Sequence, residues 1–206
     1  MKTIGYFYKQ QLPLLTNNVE RFHTKSLNTY YNLEQIDLYF DEQSMVEDRD
    51  DVIQLICATV ILTKDGYILT VKKPLETDSS TTLKNERTSL YLGGHLDIYD
   101  TEYNNTDTFI TTMKREVSEE INYNITNDTI LTPFITYTPV SKKMANHIGI
   151  IFPVVIDNPF DLTMDSKHQW LPIDRISEIT TPDPWSLLIA KRLSKYDTKN
   201  IELSNY

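Results

Sequence analysis

The apolar positions of this chain fall into runs of different period, and each run predicts an element. From Leu55 to Thr63 they are nearly continuous, which reads as a buried strand. Lys64-Asp65-Gly66 supplies turn residues, and Tyr67 to Lys73 alternates apolar and polar, so the two runs predict a hairpin on which a sheet can be founded. A short strand over Ser89 to Leu92 should deliver the pair Gly93-Gly94. Two longer strands are expected at Thr129 to Thr138 and His147 to Ile156, joined by Pro139 to Asn146. A short segment at Gln169 to Pro172 and a helical turn at Asp174 to Ile179 follow. Asp183 can then cap, and Pro184 start, a last helix running from Trp185 to Tyr196. Its Trp185, Leu188, Ile189 and Leu193 share one side and should cover the second face of the sheet.

The segment Asp107 to Ile121 has helical period. Thr106 or Asp107 can cap it, and Phe109, Ile110, Met113, Val117 and Ile121 fall within an arc of roughly 120° at about 100° per residue. Glu120 projects about 20° from Phe109, inside that arc, and Glu116 and Glu119 lie within roughly 100° of it. An acidic run of this kind is ordinarily a solvated helix face. Here the three carboxylates share a partly buried edge, where like charges at i,i+3 and i,i+4 repel and unpaired burial is costly. Arg115 can pair with Glu119, but one arginine cannot neutralise three acids. The remaining charge points to a divalent metal, and an all-oxygen donor set suits Mg2+ or Mn2+. The adjacent Gly93 and Gly94, two of only five glycines, mark backbone that turns sharply or approaches a ligand.

These residues resemble the signature of the Nudix (MutT-like) hydrolases: G, five residues, E, seven residues, then R-E-U-x-E-E-x-G-U with U aliphatic. Arg115-Glu116-Val117-Ser118-Glu119-Glu120 matches R-E-U-x-E-E at every position, and Gly94 matches the opening glycine. The chain departs from the pattern in three places. The interval from Gly94 to Arg115 is seven residues longer, Asp107 stands where counting back from Arg115 expects Glu, and Asn122-Tyr123 replace the final G-U. The extra residues, about Ile98 to Thr106, read as an enlarged loop, and Asn122 is the commonest substitute for Gly in a left-handed helix cap. Two shorter matches are similar to a phosphoesterase-type branch found in bacteria and phages. They are the lead-in from Glu47-Asp48 to Gln54-Leu55-Ile56, and Gly93-Gly94-His95 paired with His147-Ile148-Gly149.

The resemblance covers roughly residues 52 to 196 and implies an α/β fold, a mixed sheet sandwiched between helices. It implies a pyrophosphohydrolase in which Glu116, Glu119 and Glu120, with Gly94 beside them, hold Mg2+ or Mn2+, and water attacks phosphorus in line. Arg115 would orient the carboxylates. Glu119 or Glu116 would take the proton, with Asp165 as an outside candidate. Gly93, His95, Lys73, Arg87 and His147 are the candidate substrate contacts, against the plainer alternatives of solvated lysines and a backbone-bonded histidine. The expected substrate is a small nucleotide-type molecule, a nucleoside diphosphate linked to another group. The alternatives are a nucleoside triphosphate, a capped nucleic-acid end, or ligand sensing without turnover. Tyr91, Tyr99 and Tyr103 are candidates to stack a base.

Composition narrows the remaining choices. The 206 residues, 40% apolar, suffice for one main domain with an appendage. The expected division is an N-terminal appendage over 1–51, packing on the rest or on a second subunit of a homodimer, and a hydrolase domain over 52–206. A net charge of −9 disfavours long nucleic acids and anionic membranes. The lone Cys57 sits in an apolar strand and reads as a structural thiol in a reducing compartment. No stretch has the length of a signal peptide or a membrane span, so a cytoplasmic protein is expected. Residues 77–85 read as a polar loop able to act as a lid.

Overall fold

The fold was obtained as a computed structural model, which describes residues 2–16, 23–26, 31–74, 86–126, 128–139, 141–156, 159, 162, 164–179 and 182–193. The expected lid at 77–85 lies outside the described residues. In chain order the strands are β1 (Thr3–Tyr8), β2 (His23–Ser26), β3 (Tyr39–Glu42), β4 (Val52–Thr63), β5 (Tyr67–Pro74), β6 (Glu86–Ser89), β7 (Leu92–His95), β8 (Thr129–Ile130), β9 (Phe134–Tyr137), β10 (His147–Ile156) and β11 (His168–Pro172). The helices are α1 (Leu12–Thr16), α2 (Tyr31–Glu34), α3 (Gln43–Val46), α4 (Asn105–Ile121), α5 (Lys142–Ala145) and α6 (Pro184–Leu193).

All of the strands belong to one mixed sheet whose main path runs β11-β5-β4-β10-β9-β2. The axis is β4, buried along its whole length and paired in parallel with β10 from Gln54↔His147 to Thr63↔Ile156. Its other edge is shared in succession by β1 at Val52–Gln54, β7 at Ile56–Thr59 and β5 from Leu62. The near-continuous apolar run of β4 follows from burial on both faces. Leu55, Cys57 and Ile61 join Phe109, Met113, Val117 and Ile121 of α4 in one core. Ala58, Val60 and Leu62 join Ile189 and Leu193 of α6 in a second. Helices therefore cover both faces, the layered arrangement expected of such a sheet.

The hairpin, β10 and the α6 start form where the sequence places them. Asp183 Oδ1 accepts from the backbone N–H groups of Trp185 and Ser186, and Pro184 takes the first helical position. Asn122 closes α4 at φ 51°, the left-handed cap that Asn tolerates. Three boundaries differ. The strand expected over Thr129 to Thr138 is two, β8 and β9, interrupted at 131–133, where Pro133 has no N–H for the ladder. The cap of α4 is Asn104, whose side chain accepts from Asp107 N–H at 2.8 Å, rather than Thr106 or Asp107. The strand expected over Ser89 to Leu92 is broken in two, because Leu90 N–H leaves the ladder to donate to Ser186 Oγ at 2.9 Å. Residues 2–51 contribute strands to the same sheet: β1 pairs with both β3 and β4, and Gly5 N–H donates to Leu96 O at 2.9 Å.

Candidate active site

Strand β7 brings the glycine pair beneath α4. Gly94 lies opposite Cys57 on the α4 face, and its missing Cβ is occupied space: a Cβ there would stand 2.5 and 2.6 Å from the two carboxylate oxygens of Glu116. Gly93 has φ 150°, and its N–H donates to Glu120 Oε1 at 2.9 Å. The loop thus approaches the acidic edge of the helix with bare backbone, as only glycine allows.

The three glutamates are graded in exposure. Glu116 is 12% exposed, Glu120 28% and Glu119 60%. Among the described residues, two side-chain cations meet them. Arg115 Nη1 donates to Glu116 Oε1 at 2.7 Å and to Glu119 Oε2 at 3.1 Å, the i,i+4 pair expected from the sequence. Lys73 Nζ lies 3.9 Å from Glu120 Oε2 and over the ring of Tyr91.

Arg115 has a further partner, passed over by counting back from Arg115 although it follows Gly94 with five residues between, at the acidic position of the pattern counted forward. Asp100, 3% exposed, accepts from Arg115 Nε at 2.9 Å and Nη2 at 2.8 Å, and from Thr112 Oγ1 at 2.9 Å. Asp100 ends a 3-10 turn, Ile98–Asp100, capped by Asp97, in the stretch expected as an enlarged loop. Asp107, the acidic position counted back from Arg115, is exposed and accepts from Asn104 Nδ2. It serves the helix cap.

The network holds four carboxylates, those of Asp100, Glu116, Glu119 and Glu120, against Arg115 and Lys73. The surplus of negative charge and the all-oxygen donor set fit a hard divalent cation, and the Gly94 cradle leaves the Glu116 carboxylate unshielded by a side chain. As they stand, the carboxylates turn to Arg115, Lys73 and Gly93 N–H; among the described residues no three acidic, His or Cys side chains converge as a ready metal cage.

Burial pushes the Glu116 carboxyl up from the ordinary range, with Arg115 opposing and Glu119 and Glu120 adding to the rise. Burial acts the same way on Asp100, but there the Arg115 and Thr112 hydrogen bonds outweigh it and hold the carboxyl below the ordinary range. Opposite pH behaviour follows. For Glu116, whose folded pKa is raised, the contribution to stability is complete below its unfolded pKa of about 4.3 and is lost as pH rises through the folded value. For Asp100 the contribution is present above about 3.9 and is lost as pH falls through the depressed value. Urea unfolding of the metal-free protein from pH 3 to 7 should therefore show Glu116→Gln gaining on wild type as pH rises and Asp100→Asn gaining as pH falls. Parallel stability curves for all three proteins would contradict this assignment.

The histidines go elsewhere. His95 lies opposite Ile56 and His147 opposite Gln54, the parity of Gly149 and Trp185, so their rings sit on the α6 face. They meet each other there, ring centroids 5.7 Å apart, and His95 Nε2 is 3.0 Å from Gln54 Oε1. His95 touches the acidic edge through its backbone, where its carbonyl accepts from Arg115 Nη2 at 3.1 Å. Arg87 stands directly across from Lys73 on β6, with its Nε buried. Asp165 is exposed and tied to His168 Nδ1 and Lys167 N–H in the turn before β11. Tyr99 and Tyr103 are exposed, while Tyr91 packs against Trp185. Cys57 is fully buried, and burial pushes its thiol well above the ordinary range, as for a structural thiol.

No protein-family model matches this sequence, and no curated protein matches it either. Solved structures do match its fold. Tm1382, provisionally assigned to the Nudix hydrolases, superposes with a TM-score of 0.72 at 18% identity, over 93% of this chain and 98% of its own. That overlap is too long to leave out residues 1–51. The Ap4A hydrolase of C. elegans matches with a TM-score of 0.50 at 14% identity, over 69% and 97% of the two chains. A mutT/nudix family protein from Listeria innocua matches with 0.50 at 16%, over 68% and 92%. The mixed sheet between helices is the Nudix fold. No helix among the described residues is long and apolar enough to cross a membrane.

Proposed function

We propose that this chain is a divalent-metal-dependent pyrophosphohydrolase acting on a small nucleotide-type molecule, a nucleoside diphosphate linked to another group. The observation that carries this reading is the Gly94 cradle against the Glu116 carboxylate, fixed by Arg115, on a helix whose next turn carries Glu119 and Glu120. The Nudix fold and its neighbours, one of them named an Ap4A hydrolase, support it.

In this reading Glu116, Glu119 and Glu120 hold Mg2+ or Mn2+, which when bound neutralises diphosphate charge and makes water more acidic. The other roles belong to the chain. Lys73 and Arg87, neighbours across β5 and β6, take the substrate phosphates. Gly93 and Gly94 let the substrate approach the backbone. Arg115 keeps Glu116 and Glu119 in place, and Glu119, the most exposed of the three, is the carboxylate that solvent reaches to hand over a proton. In this reading His95 serves through its carbonyl, which accepts from Arg115 Nη2, and the rings of His95 and His147, on the opposite sheet face, are given no substrate contact.

Product release from nucleotide sugars, ADP-ribose, dinucleotides and nucleoside triphosphates, with and without Mg2+, tests the proposal. Turnover should require Mg2+ and fall at least a hundredfold in Glu116→Gln, Glu119→Gln and Glu120→Gln, the scale of losing a metal ligand or base. Glu120→Gln keeps an acceptor for Gly93 N–H, so its loss would report on charge alone. Tight binding of a nucleotide without turnover across the panel would replace this reading with ligand sensing.

A further inference from the structure

We infer that this chain carries a second ligand site, separate from the acidic edge of α4, which takes a small alkylated ammonium ion. The site is a cavity of about 470 Å³ at the turn end of the β4–β5 hairpin, within the size range of small-molecule pockets. Thr63, Tyr67 and Trp170 come from three neighbouring strands, β4, β5 and β11. Asp65 of the turn joins them, as do Leu162 and Met164 from the connection between β10 and β11. Strand register sets the two aromatic residues side by side. Trp170 lies opposite Leu69 and Pro172 opposite Tyr67, so Tyr67 and Trp170 are diagonal neighbours on one sheet face, about 7–8 Å apart. That spacing leaves room for one small group between the rings.

The chemistry of the lining selects the charge of that group. Aromatic faces attract a cation, as in the cages that hold quaternary ammonium ligands. Asp65 adds a carboxylate, and no basic side chain lines the cavity among the described residues. The connection that supplies Leu162 and Met164 carries Asp157, Asp161 and Asp165 before its first base, Lys167, so its charge has the same sign. Side-chain acceptors are few: Asp65, the Tyr67 hydroxyl and Thr63, whose Oγ1 already accepts from Tyr67 N–H at 3.1 Å. A primary ammonium group, with three N–H donors to satisfy, is poorly served there. An alkylated one needs no hydrogen bonds and sets its methyl groups against Leu162 and Met164.

The cavity is built in advance and stands apart from the glutamates. Gly66 N–H donates to Thr63 O at 3.1 Å and Gly66 O accepts from Ile173 N–H at 2.9 Å, which fixes the turn, while Trp170 packs on the core beneath α4. Lys73, the partner of Glu120, is six positions along β5 from Tyr67, about 20 Å away, with Leu69 and Val71 buried between them. The inference therefore does not rest on the hydrolase reading.

Titration calorimetry on the full chain, with choline as the probe, is the test. Choline should bind at least about tenfold tighter than 3,3-dimethylbutan-1-ol, its uncharged isostere, and tighter than ethanolamine, its primary-amine counterpart. Tyr67→Ala and Asp65→Asn, both at exposed positions, should each weaken choline binding about three- to tenfold. Choline should shift the indole N–H resonance of Trp170 and leave that of Trp185 in place. Glu120→Gln should leave the affinity unchanged, since the acidic edge of α4 takes no part. Equal binding of the uncharged isostere or of ethanolamine would overturn the proposal, as would no detectable binding at about 10 mM choline. So would affinity that survives Tyr67→Ala and Asp65→Asn, or that falls in Glu120→Gln.

Discussion

Replacing Gly94 by alanine is expected to remove most of the metal-dependent activity while leaving the protein folded. The new Cβ would stand 2.5, 2.6 and 2.7 Å from Oε1, Oε2 and Cδ of Glu116. Those atoms are the free end of a flexible side chain, so the carboxylate can rotate away at a cost of about 1 kcal/mol or less, the scale of an off-rotamer torsion. In doing so it gives up its 2.7 Å bond from Arg115 and its place beside the loop. Displacements of about 1 Å at a reacting centre commonly cost a hundredfold in rate. We therefore expect kcat/KM to fall by about that factor or more, with the thermal midpoint within about 3 °C of wild type. An alanine variant retaining a third or more of wild-type kcat/KM would show that the Glu116–Gly94 approach is incidental.

Its neighbour should behave in the opposite way. At Gly93 a Cβ would meet Cys57 O at 2.2 Å, Ala58 Cα at 2.6 Å and Ala58 Cβ at 2.9 Å, and φ is 150°. These obstacles are the backbone and a short side chain of β4, the strand held along its length by β10. They cannot move aside cheaply. Backbone strain and overpacking each cost about 1–3 kcal/mol, so Gly93→Ala should lower stability by about 3–5 kcal/mol and the thermal midpoint by roughly 10 °C or more. Urea unfolding gives the direct measure, and a loss below about 1 kcal/mol would mean that the β4–β7 approach is looser than described. Two adjacent glycines thus separate the requirements of function from those of folding.

Much of this was legible in the chain because it depends on local period. The apolar arc of α4, the 64–66 turn, the Asp183-Pro184 start of α6 and the left-handed Asn122 cap each follow from residues within one or two turns of each other. What escaped depends on distant partners. Asn104, Asn105, Thr106 and Asp107 are all polar residues suited to a helix start, and Glu34 helps to decide among them. Its carboxylate accepts from the N–H groups of Asn105 and Thr106, while Asn105 Nδ2 donates to the carbonyls of Leu33 and Ile36. Asp100 follows Gly94 with five residues between, at the acidic position of the pattern counted forward, but the insertion lies between it and Arg115, so counting back from Arg115 leads to Asp107 instead. The histidines are a different case. His95 directly follows Gly94 on a strand, so strand parity alone would have put its side chain on the face away from Glu116.

The parallel pairing of β4 with β10 joins Gln54 to a partner more than ninety positions downstream. At about 5–20 residues per second, β4 leaves the ribosome roughly 5–20 s before the strand that completes it. During that interval its unbroken apolar run can pair only with its antiparallel neighbours β1, β5 and β7, which are made earlier. The helix bearing Arg115 and the three glutamates is also finished before β10, so its apolar face waits on an incomplete sheet. Slow closure of this kind is the usual consequence of non-local strand pairing. It makes the nascent chain, more than the finished protein, the state in which this sequence is most exposed to aggregation.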